Sequence, residues 1–247
     1  MTYLGDLTSL TLRVYERYAV EVVERFGFCP WAHAARTSGS APVRVVFSVN
    51  QDDFAESLTH LNALSHGSQG EPSEVENETE TDCDVALVIY PLLDLGRLDF
   101  EDFVRRLRAR SEDDARDLTA FAMAAFHPHA EADLGHPDRL VPFVRRTPDP
   151  TLQLVRKSAL SSIKGLDFGT QFVDVAALGS LGVGAYESPS VKPVRQRIAE
   201  QNLATVRDVG TASVERVLHD IFREREEGHE ALRLRHGQRG PRRLDPG

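Results

Sequence analysis

Residues 85–90 read Val85-Ala86-Leu87-Val88-Ile89-Tyr90, an unbroken apolar run rich in β-branched side chains. A strand with one wet face would alternate. Six consecutive apolar positions instead predict a central strand covered on both faces. Upstream, residues 43–49 (Val-Arg-Val-Val-Phe-Ser-Val) alternate well enough for a half-buried strand, and Phe54, Leu58, Leu61 and Leu64 then outline a helix. Downstream, Phe100, Phe103, Val104 and Leu107 mark the next helix. Residues 119–126 are again short and apolar and read as a third strand, with a helix as the alternative because of the alanines. Strands separated by helices predict an α/β fold: a small, mostly parallel or mixed sheet covered by helices.

Helical spacing of Val14, Tyr15, Tyr18, Ala19, Val22, Val23 and Phe26 places a helix before this core, with Asp6 or Thr8 as its expected cap. Gly27 should stop it, and Pro30 holds Cys29 extended, so Gly27-Phe28-Cys29-Pro30-Trp31 is a turn. Beyond the third strand, Leu152, Val155, Ala159, Leu160 and Ile163 predict another helix. Within residues 165–190 the reading lies between a strand through Phe172, Val173 and Val175 and glycine-bearing loops. Two additional C-terminal helices follow Pro193, one carrying Val194, Ile198 and Val206, the other Val214, Val217, Leu218, Ile221 and Phe222.

Residues 65–82 hold six acidic side chains and no Lys or Arg, which predicts a flexible acidic insertion with little apolar surface to offset its ordering entropy. From Gly228 the composition turns charged and glycine-containing, so 228–247 is expected to be a disordered tail and 1–227 a single α/β domain.

The formal net charge of −9 opposes any broad attraction to nucleic acid, whose phosphates require a basic surface. No apolar run approaches the roughly 20 residues that span a bilayer, and the first residues lack the pattern of a secretory signal. The expectation is a soluble cytoplasmic protein with neither nucleic acid nor membrane as partner. Cys29 and Cys83 are then free thiols, Cys83 a structural one. The late amphipathic helices either cover the core or form a homodimer.

Ligands of open α/β sheets bind beyond the carboxyl ends of strands, which selects His127 in Phe126-His127-Pro128-His129. His127, His129 and His136, with Glu131, Asp133 and Asp138 close by in sequence, form a candidate site for a divalent metal such as zinc or iron. If Cys29 meets His127 in space, the thiol is a candidate nucleophile and the imidazole its base. Arg145 and Arg146 precede Pro148-Asp149-Pro150, and Arg156 lies in the helix expected next. These arginines and that helix start are candidates for holding a small anionic metabolite. The segment 179–184 is read as turns because no Lys-Ser/Thr follows its glycines. His60, His66, His219, His229 and His236 are read as solvated.

The order of Gly27-Phe28-Cys29-Pro30-Trp31-Ala32, residues 85–91, Ala125-Phe126-His127-Pro128 and Arg146-Thr147-Pro148-Asp149-Pro150-Thr151-Leu152 resembles the bacterial domain-of-unknown-function 1415 family. Ile198-Ala199-Glu200-Gln201-Asn202-Leu203 is similar to its late helical block. The resemblance spans roughly residues 12–210 and highlights Cys29, His127, Arg146 and Arg156 without supplying a reaction. Two positions depart from its pattern: Gln153 stands for a histidine, and His129 for an acidic residue.

The function expected is a small enzyme, a hydrolase or group transferase, acting on an anionic metabolite at a Cys/His/Arg site. The alternatives are a metal-dependent enzyme with a His-rich site and a noncatalytic anion-binding or regulatory protein.

Overall fold

The computed structural model describes residues 2–65, 85–113, 121–157 and 194–238. In chain order these form α1 (Tyr3–Tyr18), a π-helical turn (Ala19–Glu24), α2 (Ala32–Ser38), β1 (Val43–Val45), α3 (Ala55–Ser65), β2 (Val85–Ile89) and α4 (Arg97–Asp113). Then come β3 (Phe121–Phe126), α5 (Pro137–Val144), β4 (Thr151–Arg156), α6 (Val194–Val209) and α7 (Thr211–Arg235). The fold is α/β with a mixed four-stranded sheet, order β1-β2-β4-β3.

The strand expected at 85–90 is central, and the segment expected at 119–126 is a strand rather than a helix over its described part, Phe121–Phe126. Among the described residues only β1 and β2 pair in parallel, because β4 inserts between β2 and β3 and runs against both. The helix expected from Leu152 onward begins instead as this strand. Leu152 and Val155 satisfy a helical spacing, but Leu152 and Leu154 also satisfy a spacing of two. Pairing with Ala86 and Val88 on one side and Met123 and Ala125 on the other decides the case. Ala159, Leu160 and Ile163 lie outside the described residues, as do residues 66–84, the segments around 172 and 179–184, Cys83 and His66.

One face of the sheet, with Ala86, Val88, Leu152, Leu154, Phe121 and Met123, packs on Phe100, Phe103, Val104 and Leu107 of α4 and Leu61 of α3. Burial of each large side chain in this layer stabilises the fold by about 1.5–3 kcal/mol. A second cluster is helical. It joins Leu10, Val14 and Tyr18 of α1 to Leu140 and Phe143 of α5, Val206 of α6, and Leu218 and Ile221 of α7. Phe47 and Leu92, just past the ends of β1 and β2, pack against it. The second cluster therefore meets the sheet at the strands' carboxyl ends.

The first helix starts earlier than expected, since Thr2 rather than Asp6 or Thr8 caps it, accepting the Gly5 N–H at 3.2 Å. Asp6 instead binds His236, 2.9 Å away. The last helix ends later. Gly228 does not stop α7, which continues to Arg235 with His229 and Leu232 buried, so the expected tail is helix as far as Arg235, while residues 239–247 lie outside the described residues; the solvated reading is corrected for His229, 6% exposed, and for His236, whose side chain is 20% exposed. A Cβ at Gly228 would lie 2.6 Å from Leu10 Cδ1, so the glycine serves the close approach of α1 and α7 rather than a helix end. No helix among the described residues is long and apolar enough to cross a membrane.

Candidate functional site

β1, β2 and β3 point the same way, so their carboxyl ends and the start of β4 share one end of the sheet. That end collects Tyr90-Pro91-Leu92, Phe126-His127-Pro128-His129 and residues 145–150. His127 is only 5% exposed there. Its Nδ1 accepts the His129 N–H at 3.1 Å, which leaves the ring proton on Nε2 to donate to the Leu95 carbonyl at 2.9 Å. Burial pushes its pKa down. A neutral imidazole tying the β2–α4 loop to the end of β3 has both nitrogens in use. Service as a base or a metal ligand requires breaking one of those bonds.

Cys29 is placed by the π-helical turn and by Gly27, whose φ of 65° suits glycine. The Phe28 N–H closes this corner on the Val23 carbonyl at 2.9 Å, and Asn202 Nδ2 of α6 donates to the Phe28 carbonyl at 3.3 Å. The half-buried thiol has its pKa raised by burial, against the backbone N–H groups of Trp31 and Ala32 and the charge of Arg145. Among the described residues no hydrogen bond joins Cys29 to His127. Arg145 is what they share: its charge acts on Cys29, its guanidinium lies 5.2 Å from the Phe126 ring, and it lines a cleft with His127.

Arg146 turns inward. Its Nε donates to the Pro128 carbonyl at 2.9 Å and its guanidinium sits between the rings of Phe143 and Phe222, at 5.6 and 5.7 Å. It braces the His-Pro-His turn against α7. Arg156 stacks on Phe121 at 4.9 Å, at the far end of the sheet. The strand rise puts it about 17 Å from Thr151 along β4. The expected pairing of Arg146 and Arg156 around an anion is therefore not assembled, and the helix start expected to assist it is a strand.

The imidazoles of His127 and His129 meet edge to face, 5.4 Å between centroids, with His129 exposed. His136 caps α5, its Nδ1 accepting the Asp138 N–H at 3.2 Å. Among the described residues, no group of three or more His, Cys, Asp or Glu is placed to hold a metal ion.

Two features at this end were not foreseen from the sequence. Asp149, 2% exposed, holds Arg225 of α7 through Oδ1 and Nε at 2.5 Å, and Arg225 also donates to the Pro91 carbonyl at 3.3 Å. Burial raises the Asp149 pKa despite this partner. The other is the cleft itself, about 260 Å³, bounded by Arg97 and Glu101 of α4, Ala125 and His127, and Val141, Pro142 and Arg145 at the end of α5. Arg97 Nη1 lies 2.5 Å from Glu101 Oε1. Two guanidiniums, one carboxylate, the imidazole and small apolar side chains thus line the same cleft. Only the strand-end position pointed here from the sequence. The i,i+4 spacing of Arg97 and Glu101 reads as an ordinary helix surface pair.

No curated protein and no solved structure matches the chain. The family described as a protein of unknown function (DUF1415) matches residues 13–165. That span takes in every described strand and the cleft residues and leaves out α6 and α7. With more than half of its length matched, the chain belongs to this family of unknown function.

Proposed function

We propose that this protein binds a small anionic metabolite in the cleft at the end of β3, with Arg145 as the anchoring cation. The observation that carries the reading is the placement of Arg145, braced on Phe126 and lining, with Arg97, the cleft at the strand ends. A guanidinium beside low-dielectric walls offers paired N–H donors to a carboxylate or phosphate. The volume lies at the small end of ligand pockets and suits a metabolite rather than a polymer segment. Isothermal titration calorimetry with a panel of small carboxylates and phosphates tests it. Arg145→Met should weaken the tightest ligand at least tenfold, about 1.4 kcal/mol, while the protein stays folded. Equal affinity in the variant would overturn the reading.

A second reading, a hydrolase or group transferase with Cys29 as nucleophile, draws on the Trp31 and Ala32 N–H groups and the Arg145 charge, all of which favour a thiolate. Burial opposes them and wins in the free protein. This reading expects Cys29→Ser to abolish turnover. It is rejected if that variant keeps full activity, or if alkylation of Cys29, followed by peptide mass spectrometry, titrates above an ordinary thiol with ligand bound.

A further inference from the structure

Cys29 sits in a corner at the surface, followed by the exposed Pro30 and Trp31. The backbone bonds of this corner are local: Gly27 N–H to the Glu24 carbonyl at 3.1 Å, Phe28 N–H to Val23 at 2.9 Å and Ala32 N–H to Cys29 at 3.3 Å. The bond from Asn202 is of another kind. It comes out of α6, 174 positions along the chain, and closes on the Phe28 carbonyl, one peptide unit from Cys29. Two details make it a weak hold. Its 3.3 Å lies beyond the usual N–H···O range. Asn202 is 5% exposed, and its Oδ1 is buried with no hydrogen-bond partner among the described residues. An amide oxygen stripped of water and left unpaired costs at least as much as the bond at the other end of the same side chain returns. The Phe28 ring is 5% exposed within the second apolar cluster and anchors the base of the corner. Turning the Phe28–Cys29 peptide away from α6 leaves that ring in place and hydrates both Oδ1 and the Phe28 carbonyl, so the closed arrangement is only slightly favoured over an open one.

We infer that Asn202 is the positioning residue of Cys29, a latch on α6 that keeps the thiol half-buried and, on release, lets the corner carry it into solvent while the remaining fold stays intact. A small thiol-reactive electrophile meets Cys29 in the open arrangement. Because α6 lies outside residues 13–165, access to a residue inside the family span is set from beyond it. The inference concerns access to the thiol and stands whether or not Cys29 is a nucleophile; turnover by Cys29→Ser decides that separately.

Iodoacetamide labelling of the full chain, with Cys29 and Cys83 read separately by peptide mass spectrometry, measures this access. Asn202→Ala removes the donor, and Asn202→Asp keeps the shape but as a carboxylate can only accept. Each should raise the Cys29 labelling rate at least about tenfold and leave Cys83 unchanged, while urea below the unfolding transition leaves the wild-type Cys29 rate within about twofold. Leu152→Ala, which opens a cavity in the first cluster and lowers global stability, should leave Cys29 labelling within about twofold of wild type. In Asn202→Ala the pH midpoint of Cys29 labelling should fall from its raised wild-type position towards that of an ordinary thiol, because burial no longer opposes the charge. Global loosening alone leaves that midpoint in place, which separates a latch from a merely structural contact. The inference is overturned if neither Asn202 variant speeds Cys29 labelling, if Leu152→Ala speeds it as much, or if Cys83 labelling rises with it. A midpoint that stays put in Asn202→Ala, or a wild-type rate that climbs with urea in step with global unfolding, overturns it equally.

Discussion

His229 is an uncharged histidine at neutral pH, with no hydrogen-bond partner for Nε2 among the described residues. Burial first, then the charges of Arg225 and Arg233, push its pKa down to about 4. In the unfolded chain the ring takes up its proton near 6.5. Between those values the unfolded state binds more protons, so this contribution to stability is fully present above about pH 6.5 and is lost as pH falls through 4. Its full size is about 3 kcal/mol. Urea unfolding at pH 7.5 and pH 4.5 should show a larger loss in the wild-type protein than in His229→Leu. Equal losses would show that His229 does not contribute. In the sequence it lies among the charged residues Glu226, Glu227, Glu230 and Arg233 and reads as solvated. Only the stripe Leu218, Ile221, Arg225, His229, Leu232 reveals an inward face.

At the scale of elements, α7 holds the strand-end loops in place. Arg225 reaches Asp149 and the Pro91 carbonyl, and Phe222 stacks on Arg146, which in turn holds Pro128. Removing one partner of a buried ion pair strands the other charge. Arg225→Met should therefore cost about 3–5 kcal/mol, and the double variant Asp149→Leu with Arg225→Met should recover part of it. Thermal or urea unfolding of the three proteins checks this, and a double variant no better than Arg225→Met would contradict it. Gly228→Ala sets a helix preference of about 1 kcal/mol against a Cβ driven into the buried Leu10 side chain. Overpacking of about 1–3 kcal/mol should win and lower the urea midpoint. A raised midpoint would mean that α1 and α7 can separate at little cost. β4 shows the limit of local pattern in the opposite sense. Its leucines fit two periods, and hydrogen bonds to residues more than 25 positions earlier in the chain choose between them.

Across the whole molecule, two apolar clusters meet at the carboxyl end of the sheet, and the candidate site lies at that end. The arrangement explains why so many of the residues singled out in the sequence converge there with unequal roles. His127 and Arg145 line the cleft, Arg146 braces the turn beside it, and Arg156 is carried to the far end by the length of β4. Cys29 comes near through Arg145 rather than through His127. The test of Arg145→Met belongs to this scale, because its outcome depends on sheet, α4 and α5 forming one cleft.

Period and composition alone mark the side chains that must leave water: the apolar run of β2, the faces of α3, α4 and α6, and the strand end that carries His127. These are local properties, written in period and composition, and they survive whatever packs against them. The tertiary structure alone decided that β4 is a strand between β2 and β3, that Arg146 points inward, that α7 passes through Gly228, and that Glu101 faces the same cleft as Arg145. Each of those outcomes is a contact between residues far apart in the chain. Hydrogen-bond satisfaction, burial and close approach select it from alternatives that the local sequence leaves nearly equal in energy.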